Sequence, residues 1–347
     1  MSAEAVRTEP NALLRSKRQG LRIASAVAVG FTVAVANGEA LPFLAPMFAI
    51  QFLAATVRPL TVRQAFGMVM LIVVAGWFAA ALTQLCGDRP AALLPLLGLV
   101  YLACFLLQAR GKGGGAPFLI IVVAVMVPML GVLQTDLGEG VVPMLAKAVL
   151  GGVALAWLAH AAFPDPGGDV PAPAPPAPPL DRSARLALAN TAILLIVLTV
   201  CLVDDRFSNA VVVPITAASL LNQFDHTAGS RAALGLVGAN LLGGVVASVA
   251  FAFIDLRPTL PFVFFTLLFV ALMFGGQAAA NPATAKVYAG ALTTFVILLG
   301  LGVSPLPGSA VESFSTRIGM VTFAIAATLL LTGLLRPTST PRQPQAS

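Results

Sequence analysis

Of the 347 residues 58% are hydrophobic and 10% charged, against roughly 25% charged residues in an ordinary soluble domain, and the mean hydropathy is +0.94. That composition excludes a soluble globular protein and points to an integral membrane chain. The net charge of +6 is no sign of nucleic-acid binding, because the basic residues are spread over separate short loops instead of gathering on one face.

Apolar runs of roughly 17 to 23 residues, enough to cross about 30 Å of hydrocarbon at 1.5 Å per residue, follow one another along the chain. In order they cover about 21–37, 41–57, 66–86, 91–108, 117–134, 141–163, 185–204, 209–224, 232–254, 258–274, 284–302 and 316–335, about twelve spans in all. They are apolar on every face, so they read as helices and not as the alternating strands of a barrel. Residues 1–20 form a cytoplasmic segment before the first span, and 337–347 a cytoplasmic tail. Ala34-Val35-Ala36 matches a leader-cleavage pattern. The first span nevertheless corresponds to the seventh, which opens at Arg185 in mid-chain, so it is expected to be retained.

Orientation follows from the basic residues. With an even number of spans and an inward N-terminus, fifteen of the twenty Lys and Arg fall on the inner side, among them Arg7, Arg15, Lys17, Arg18, Arg22, Arg58, Arg63, Arg110 and Lys112. Arg89, Arg206, Arg257 and Arg317 fall outside, and Lys147 lies within a span. Both termini are expected in the cytoplasm.

Sliding the chain by 168 residues against itself aligns Pro46 with Pro214, Arg63 with Arg231, Gly67 with Gly235, Gly76 with Gly244 and Arg89-Pro90 with Arg257-Pro258, with no gap. Such matches at one offset mark an internal duplication. Between the copies lies PDPGGDVPAPAPPAPPL, residues 164–180, which with Asp181 makes a polyproline-type linker over residues 164–181. The first repeat is therefore 21–163 and the second 182–336. Each contains six spans, so both face the same way, as two parallel bundles about an axis along the membrane normal.

Gly67, Gly76, Gly235, Gly243 and Gly244 build small-xxx-small ladders on the third and ninth spans, which lets helix backbones approach closely. Those two spans are the expected central pair. Arg63 and Arg231 open them at the inner edge. They read either as anchors snorkelling to headgroups or as a basic ring that draws an anion into a path along the axis. The amides Gln51, Asn222 and Asn240 lie within spans and suit helix-to-helix bonds or the lining of such a path. Lys286 and Tyr288 are candidates for an inner vestibule, or alternatively interfacial anchors. Arg317 and Lys147 hold comparable outer positions, where snorkelling is the simpler reading for Lys147.

All fourteen Asp and Glu fall in termini, loops or the last turns of spans, leaving no mid-membrane carboxylate for a proton relay. His160 and His226 are far apart, Cys86, Cys104 and Cys201 stand singly, and there is no G-x-x-x-x-G-K, so neither a metal site, a cofactor site nor a nucleotide site is expected. The chain does not read as an enzyme. Paired basic mouths without a buried carboxylate suit an anion leaving the cytoplasm, which gains roughly 2.3 kcal/mol per charge per 100 mV when the interior is negative.

The segments LPFLAPMFAIQFLAA, Arg63 with Gly67, RAALGLVGANLLGG, KVYAGALTTFVILL and ESFSTRIGMVTFAIAATLL resemble the membrane domain of the fusaric-acid-resistance and aromatic-acid-exporter family, and especially a shorter bacterial branch that is a domain of unknown function. The likeness runs over nearly all of residues 20–336. It implies an inner-membrane subunit that exports aromatic carboxylic acids or related toxic compounds together with a periplasmic membrane-fusion adaptor. It further implies that Arg63 and Arg231 match the family's repeated Arg-x-x-x-Gly, and Tyr288 and Arg317 its late Tyr and Arg. Phe118 opposite Lys286 departs from a symmetric path. A non-transporting membrane scaffold or assembly factor remains the alternative.

Overall fold

A computed structural model describes residues 3–55, 58–87, 89–133, 140–165, 179–203, 212–224, 230–280, 284–304, 319, 326–328 and 330–332. Among the described residues every regular element is a helix. In chain order these are α1 (Ala3–Ala36), α2 (Leu44–Ala55), α3 (Val62–Cys86), α4 (Pro90–Ala109), α5 (Ala116–Leu133), α6 (Val141–Ala162), α7 (Leu180–Val203), α8 (Val212–Phe224), α9 (Ser230–Leu256), α10 (Leu260–Ala280) and α11 (Ala285–Gly302). Seven segments of the described chain are long and apolar enough to cross a membrane: Leu14–Ala36, α3, α4, α6, α7, Gly238–Leu256 of α9, and α10. Four shorter apolar helices, within α2, α5, α8 and α11, lie among them. The chain is thus a multi-pass helical membrane protein. Most of the expected twelfth span, Arg317 included, and most of the proline-rich linker lie outside the described residues.

Local chemistry sets the ends. Thr61 and Gln64 form a reciprocal capping box at the start of α3, Gln64 N–H donating to Thr61 Oγ1 at 3.3 Å and Thr61 N–H to Gln64 Oε1 at 3.0 Å. Pro90 opens α4, where a missing N–H costs nothing. Between α4 and α5 the chain turns through Gly111, Gly113 and Gly114 at φ of 65°, 85° and 56°, a region only glycine enters freely. Two boundaries differ from the sequence reading. The segment before the first span, for which the sequence reading sets no secondary structure, is helical from Ala3 and is part of α1. The second span starts later than expected, α2 beginning at Leu44, while positions 56–57 of that span and 209–211 of the eighth lie outside the described residues.

The short helices make the core. Positions 117–119 and 121–130 of α5, 213–221 of α8 and 290–301 of α11 are buried throughout, and α2 buries Met47, Phe48, Ala49 and Ile50. α2 packs on α11, α5 on α8 and α8 on α11. Long helices surround them. The most extensive packing is α1 on α10, followed by α9 on α11, α2 on α6, α3 on α5 and α4 on α7.

The expected central pairing of the third and ninth spans is overturned. α3 packs on α5, α6 and α4, while α9 packs on α11, α10 and α8; the two are not packed on each other. Phe66, Met70, Val74, Trp77 and Phe78 of α3 and Val245, Val249 and Phe253 of α9 are exposed, as expected of faces turned to lipid. The ladder is used only in part. A Cβ at Gly76 would lie 2.9 Å from Val142 Cγ1 of α6, one at Gly243 would strike the Ala291 carbonyl of α11, and one at Gly244 would meet Leu298 Cδ1 at an ordinary 3.4 Å. Among the described residues nothing lies within 4 Å of that position at Gly67 or Gly235, so they pack on none of the described helices. Small residues mark close approach, but they do not say to which neighbour.

Candidate functional site

Within the four short central helices the buried polar side chains lie on α8 and α11. Thr216 and Ser219 on α8 and Thr293 and Thr294 on α11 are buried, and Asn222 is half-buried near the end of α8. On α2 the polar residue is Gln51, also half-buried, and α5 is apolar over the whole of its buried stretch. Tyr288 packs half-buried against the core from the first turn of α11. The described structure therefore gathers Gln51, Asn222 and Tyr288 into helices of the central cluster, but with the polarity uneven between the two halves.

Asn240 has a different role from a path-lining amide. It is fully buried on α9, and its Oδ1 accepts a hydrogen bond of 2.5 Å from Thr294 Oγ1 on α11. That bond ties two of the most closely packed helices, as an amide in an apolar interface is expected to do. Thr293 instead donates to Ala289 O of its own helix at 2.8 Å. A double-mutant cycle with Asn240→Leu and Thr294→Val checks the tie. Each single change should lower stability in detergent by about 1 kcal/mol, with a coupling of roughly 0.6 to 1.7 kcal/mol; a coupling of zero removes the bond from the packing account.

Arg63 sits exposed in the first turn of α3, on the outward side of the bundle. Arg231 and Lys286 belong to α9 and α11, but their side chains lie outside the described residues, as does Arg317. The exposure of Arg63 matches an interfacial anchor.

The basic site that sequence reasoning missed is on α1. Arg15, Arg18 and Arg22, spaced at i, i+3 and i+7, occupy one face of the helix and engage three consecutive residues where α6 ends. Arg15 pairs with Asp165 at 3.6 Å, Arg18 Nη1 donates to Pro164 O at 2.6 Å, and Arg22 Nε donates to Phe163 O at 2.7 Å. Arg22 also donates through Nη1 to Gln19 Oε1 at 3.2 Å, and Gln19 Nε2 reaches Leu53 O at the end of α2. Arg22 is 0% exposed and is the largest fully buried side chain. Its charge rests on the carbonyl end of α6, where the helix dipole is negative. The signal was available: Arg22 falls inside the first apolar run, whereas Arg15 and Arg18 precede it. Among the described residues no Asp or Glu is buried.

At the opposite end of the bundle Lys147 of α6 pairs with Glu39 in the α1–α2 turn, and Ser304 Oγ donates to the neighbouring Ala40 O at 2.6 Å. Lys147 thus has a protein partner in addition to the aqueous boundary. His160 is buried, with Nδ1 2.8 Å from Ala156 O of its own helix, and among the described residues no group of three His, Cys, Asp or Glu is placed to hold a metal ion. Of the cysteines, Cys104 and Cys201 are buried and Cys86 half-buried, none in a disulfide.

Residues 19–159 match a family model described as a protein of unknown function (DUF2955), a span that runs from α1 through most of α6. The match assigns no function and does not connect the chain to the fusaric-acid-resistance proteins. No curated protein and no solved structure is similar enough to the chain to count as a match.

Proposed function

We propose that the chain is an inner-membrane transport subunit that exports organic anions such as aromatic carboxylic acids, working with a periplasmic adaptor. Its architecture in this reading is two parallel six-helix bundles, about twelve spans with both termini in the cytoplasm. The observation that carries it is the central cluster. Four short helices, two from each copy of the repeat, meet in the interior, and they bring Gln51, Thr216, Ser219, Asn222, Tyr288, Thr293 and Thr294 with them. The buried charge at the α1 end is a cation, with no buried carboxylate among the described residues, which suits an anion and opposes a cation.

Helix pairings support the two-bundle part of the reading. Moved by 168 residues, α1 on α10 becomes α7 on α4, α3 on α5 becomes α9 on α11, α4 on α5 becomes α10 on α11, and α2 on α11 becomes α8 on α5; each member of every couple is observed. The shared centre in this reading is α2, α5, α8 and α11. Arg63 and Arg231 act from the inner rim, where their charge raises the local concentration of an anion.

Efflux of a hydroxylated benzoic acid from cells with and without the protein tests the proposal. Cells with it should clear the acid faster, and Asn222→Leu should slow clearance by roughly 5- to 150-fold if the amide meets the passing carboxylate, since one buried polar partner is worth about 1 to 3 kcal/mol. Normal efflux in Arg63→Ala with Arg231→Ala removes those two residues from the mechanism. The scaffold reading is favoured by one observation, that Asn240, Thr294, Thr293, Thr199 and Ser248 use their polar groups on helix ties or on their own helices. Absence of any protein-dependent efflux decides for it.

A further inference from the structure

Besides the central contacts of α2 with α11 and α5 with α8, two seams of long helices join the copies of the repeat, α1 on α10 and α4 on α7, and the offset of 168 makes them counterparts position by position. The first is built for close approach. A Cβ on Gly20 would lie 3.1 Å from Gly276 Cα and one on Gly275 3.2 Å from Ile23 Cγ2, while Ser16 Oγ donates to Ala279 O at 2.8 Å. In the second seam Leu188 stands at the place of Gly20 and Gln108 at the place of Gly276. Gln108 is 7% exposed, yet among the described residues neither its Nε2 nor its Oε1 has a hydrogen-bond partner. Thr191 Oγ1 on α7, equally buried, has none either. Toward the other end of the same seam Leu94 and Pro95 of α4 and Leu195, Ile196, Thr199 and Val200 of α7 line an open groove of about 410 Å³.

The other unpartnered polar atoms do not blur this contrast. Arg22 Nη2 belongs to a side chain held by its other nitrogens. Thr32 lies about 160° round α1 from Ser16, off the α10 face, and Ser183 about 120° round α7 from Leu195, which fills the space beside Gly98 of α4. A buried amide bonded at neither end is unfavourable, and admitting water to it removes the penalty. A glycine seam with bonded polar groups has no such incentive to part.

We propose that the protein opens along the α4–α7 seam while the α1–α10 seam stays closed and acts as the hinge. The opening exposes Gln108 and Thr191. It rests on the two-bundle reading above, and it holds whether or not the chain exports aromatic acids.

Spin labels on outward positions of the full-length protein in lipid nanodiscs test it, with Cys86→Ala as background and Cys104 and Cys201 left in place because they are buried. One pair is Leu107→Cys with Leu188→Cys across α4–α7, the other Leu21→Cys with Gln277→Cys across α1–α10. The first pair should give a distance distribution broader than the second by about one helical turn, ~5 Å. Gln108→Leu should narrow that distribution to its short-distance side and raise the melting temperature. Equally narrow distributions, a broader one at α1–α10, or a Gln108→Leu variant that melts lower with the distribution unchanged would each overturn the proposal. A broad α4–α7 distribution in a protein that supports no efflux leaves the seam standing and removes only the export reading.

Discussion

Gly243→Val is expected to abolish recovery of folded protein, while Gly235→Val, from the same sequence ladder, leaves it nearly unchanged. A Cβ at Gly243 overlaps the carbonyl oxygen of Ala291 and comes within 3.1 Å of its carbonyl carbon. These are backbone atoms of α11, so no rotamer change relieves the clash, and α9 and α11 must separate. Separation also stretches the bond between Asn240 and Thr294 that ties the two helices. Overpacking alone costs about 1 to 3 kcal/mol; with a displaced backbone and a broken buried bond the loss should be about 4 kcal/mol or more, close to the whole stability of a marginal fold. Gly235 has nothing within 4 Å, and valine there should change stability by less than about 1 kcal/mol. Size-exclusion profiles and melting curves of the two variants in one detergent make the comparison. Equal behaviour would mean that the α9–α11 approach is not as close as described.

Arg22→Leu should be the most damaging change to a charged residue. Two effects compete. Removing a buried guanidinium relieves its desolvation, which by itself stabilises. Against this, the change leaves Phe163 O and Gln19 Oε1 without the donors they now have and takes a cation from the carbonyl end of α6. Hydrogen bonds from a charged donor contribute about 1.5 to 3 kcal/mol and a cation at a helix C-terminus up to about 2 kcal/mol. Because the acceptors are neutral carbonyl oxygens of half-buried residues that lose a charged donor, loss should exceed relief, and the net destabilisation should be about 2 kcal/mol. Arg22→Lys, with a single donor centre in place of the fork, should recover part of it. Arg63→Ala, at an exposed position, should stay within about 0.5 kcal/mol. An Arg22→Leu variant that melts at or above the parent temperature would show that desolvation governs this site.

The contrast between these residues shows what a sequence discloses about such a chain. Helices were legible wherever an apolar run is closed by Gly, Pro or Arg: α5, α6 and α11 fall within a residue or two of the expected bounds, of which α6 is also long and apolar enough to cross a membrane. The start of α1 was not, because residues 3–20 carry charge and lack the hydropathy of a span; their helicity is supported by Arg15, Arg18 and Gln19 finding partners on α6 and α2. Arg22 was read only as a topological charge, although its position inside an apolar run was the mark of a buried partner.

The central helices were misassigned for a physical reason as well. Glycine ladders report that something comes close, and on α3 and α9 the neighbours are α6 and α11 instead of each other. The outward row Phe66, Met70, Trp77 and Phe78 carried the contrary signal, since large apolar side chains on one face of a span belong against lipid. For the interior, the informative pattern was the opposite one: helices too short for a comfortable span, apolar all round, with a few hydroxyls and amides. α2, with Gln51, and α8, with Thr216, Ser219 and Asn222, have that character. Of the residues expected to line a path, Gln51, Asn222 and Tyr288 are in the central helices, Asn240 is engaged in a helix tie, and Arg63 is at the outer surface of the bundle.

The central claim is that two like bundles face the same way across the membrane. Its most direct test is labelling with a membrane-impermeant thiol reagent in intact cells and inverted vesicles, using Arg63→Cys, Arg231→Cys and Glu39→Cys one at a time. The account predicts that positions 63 and 231 react only in inverted vesicles and position 39 only in intact cells. Reaction of positions 63 and 231 from opposite sides would contradict it.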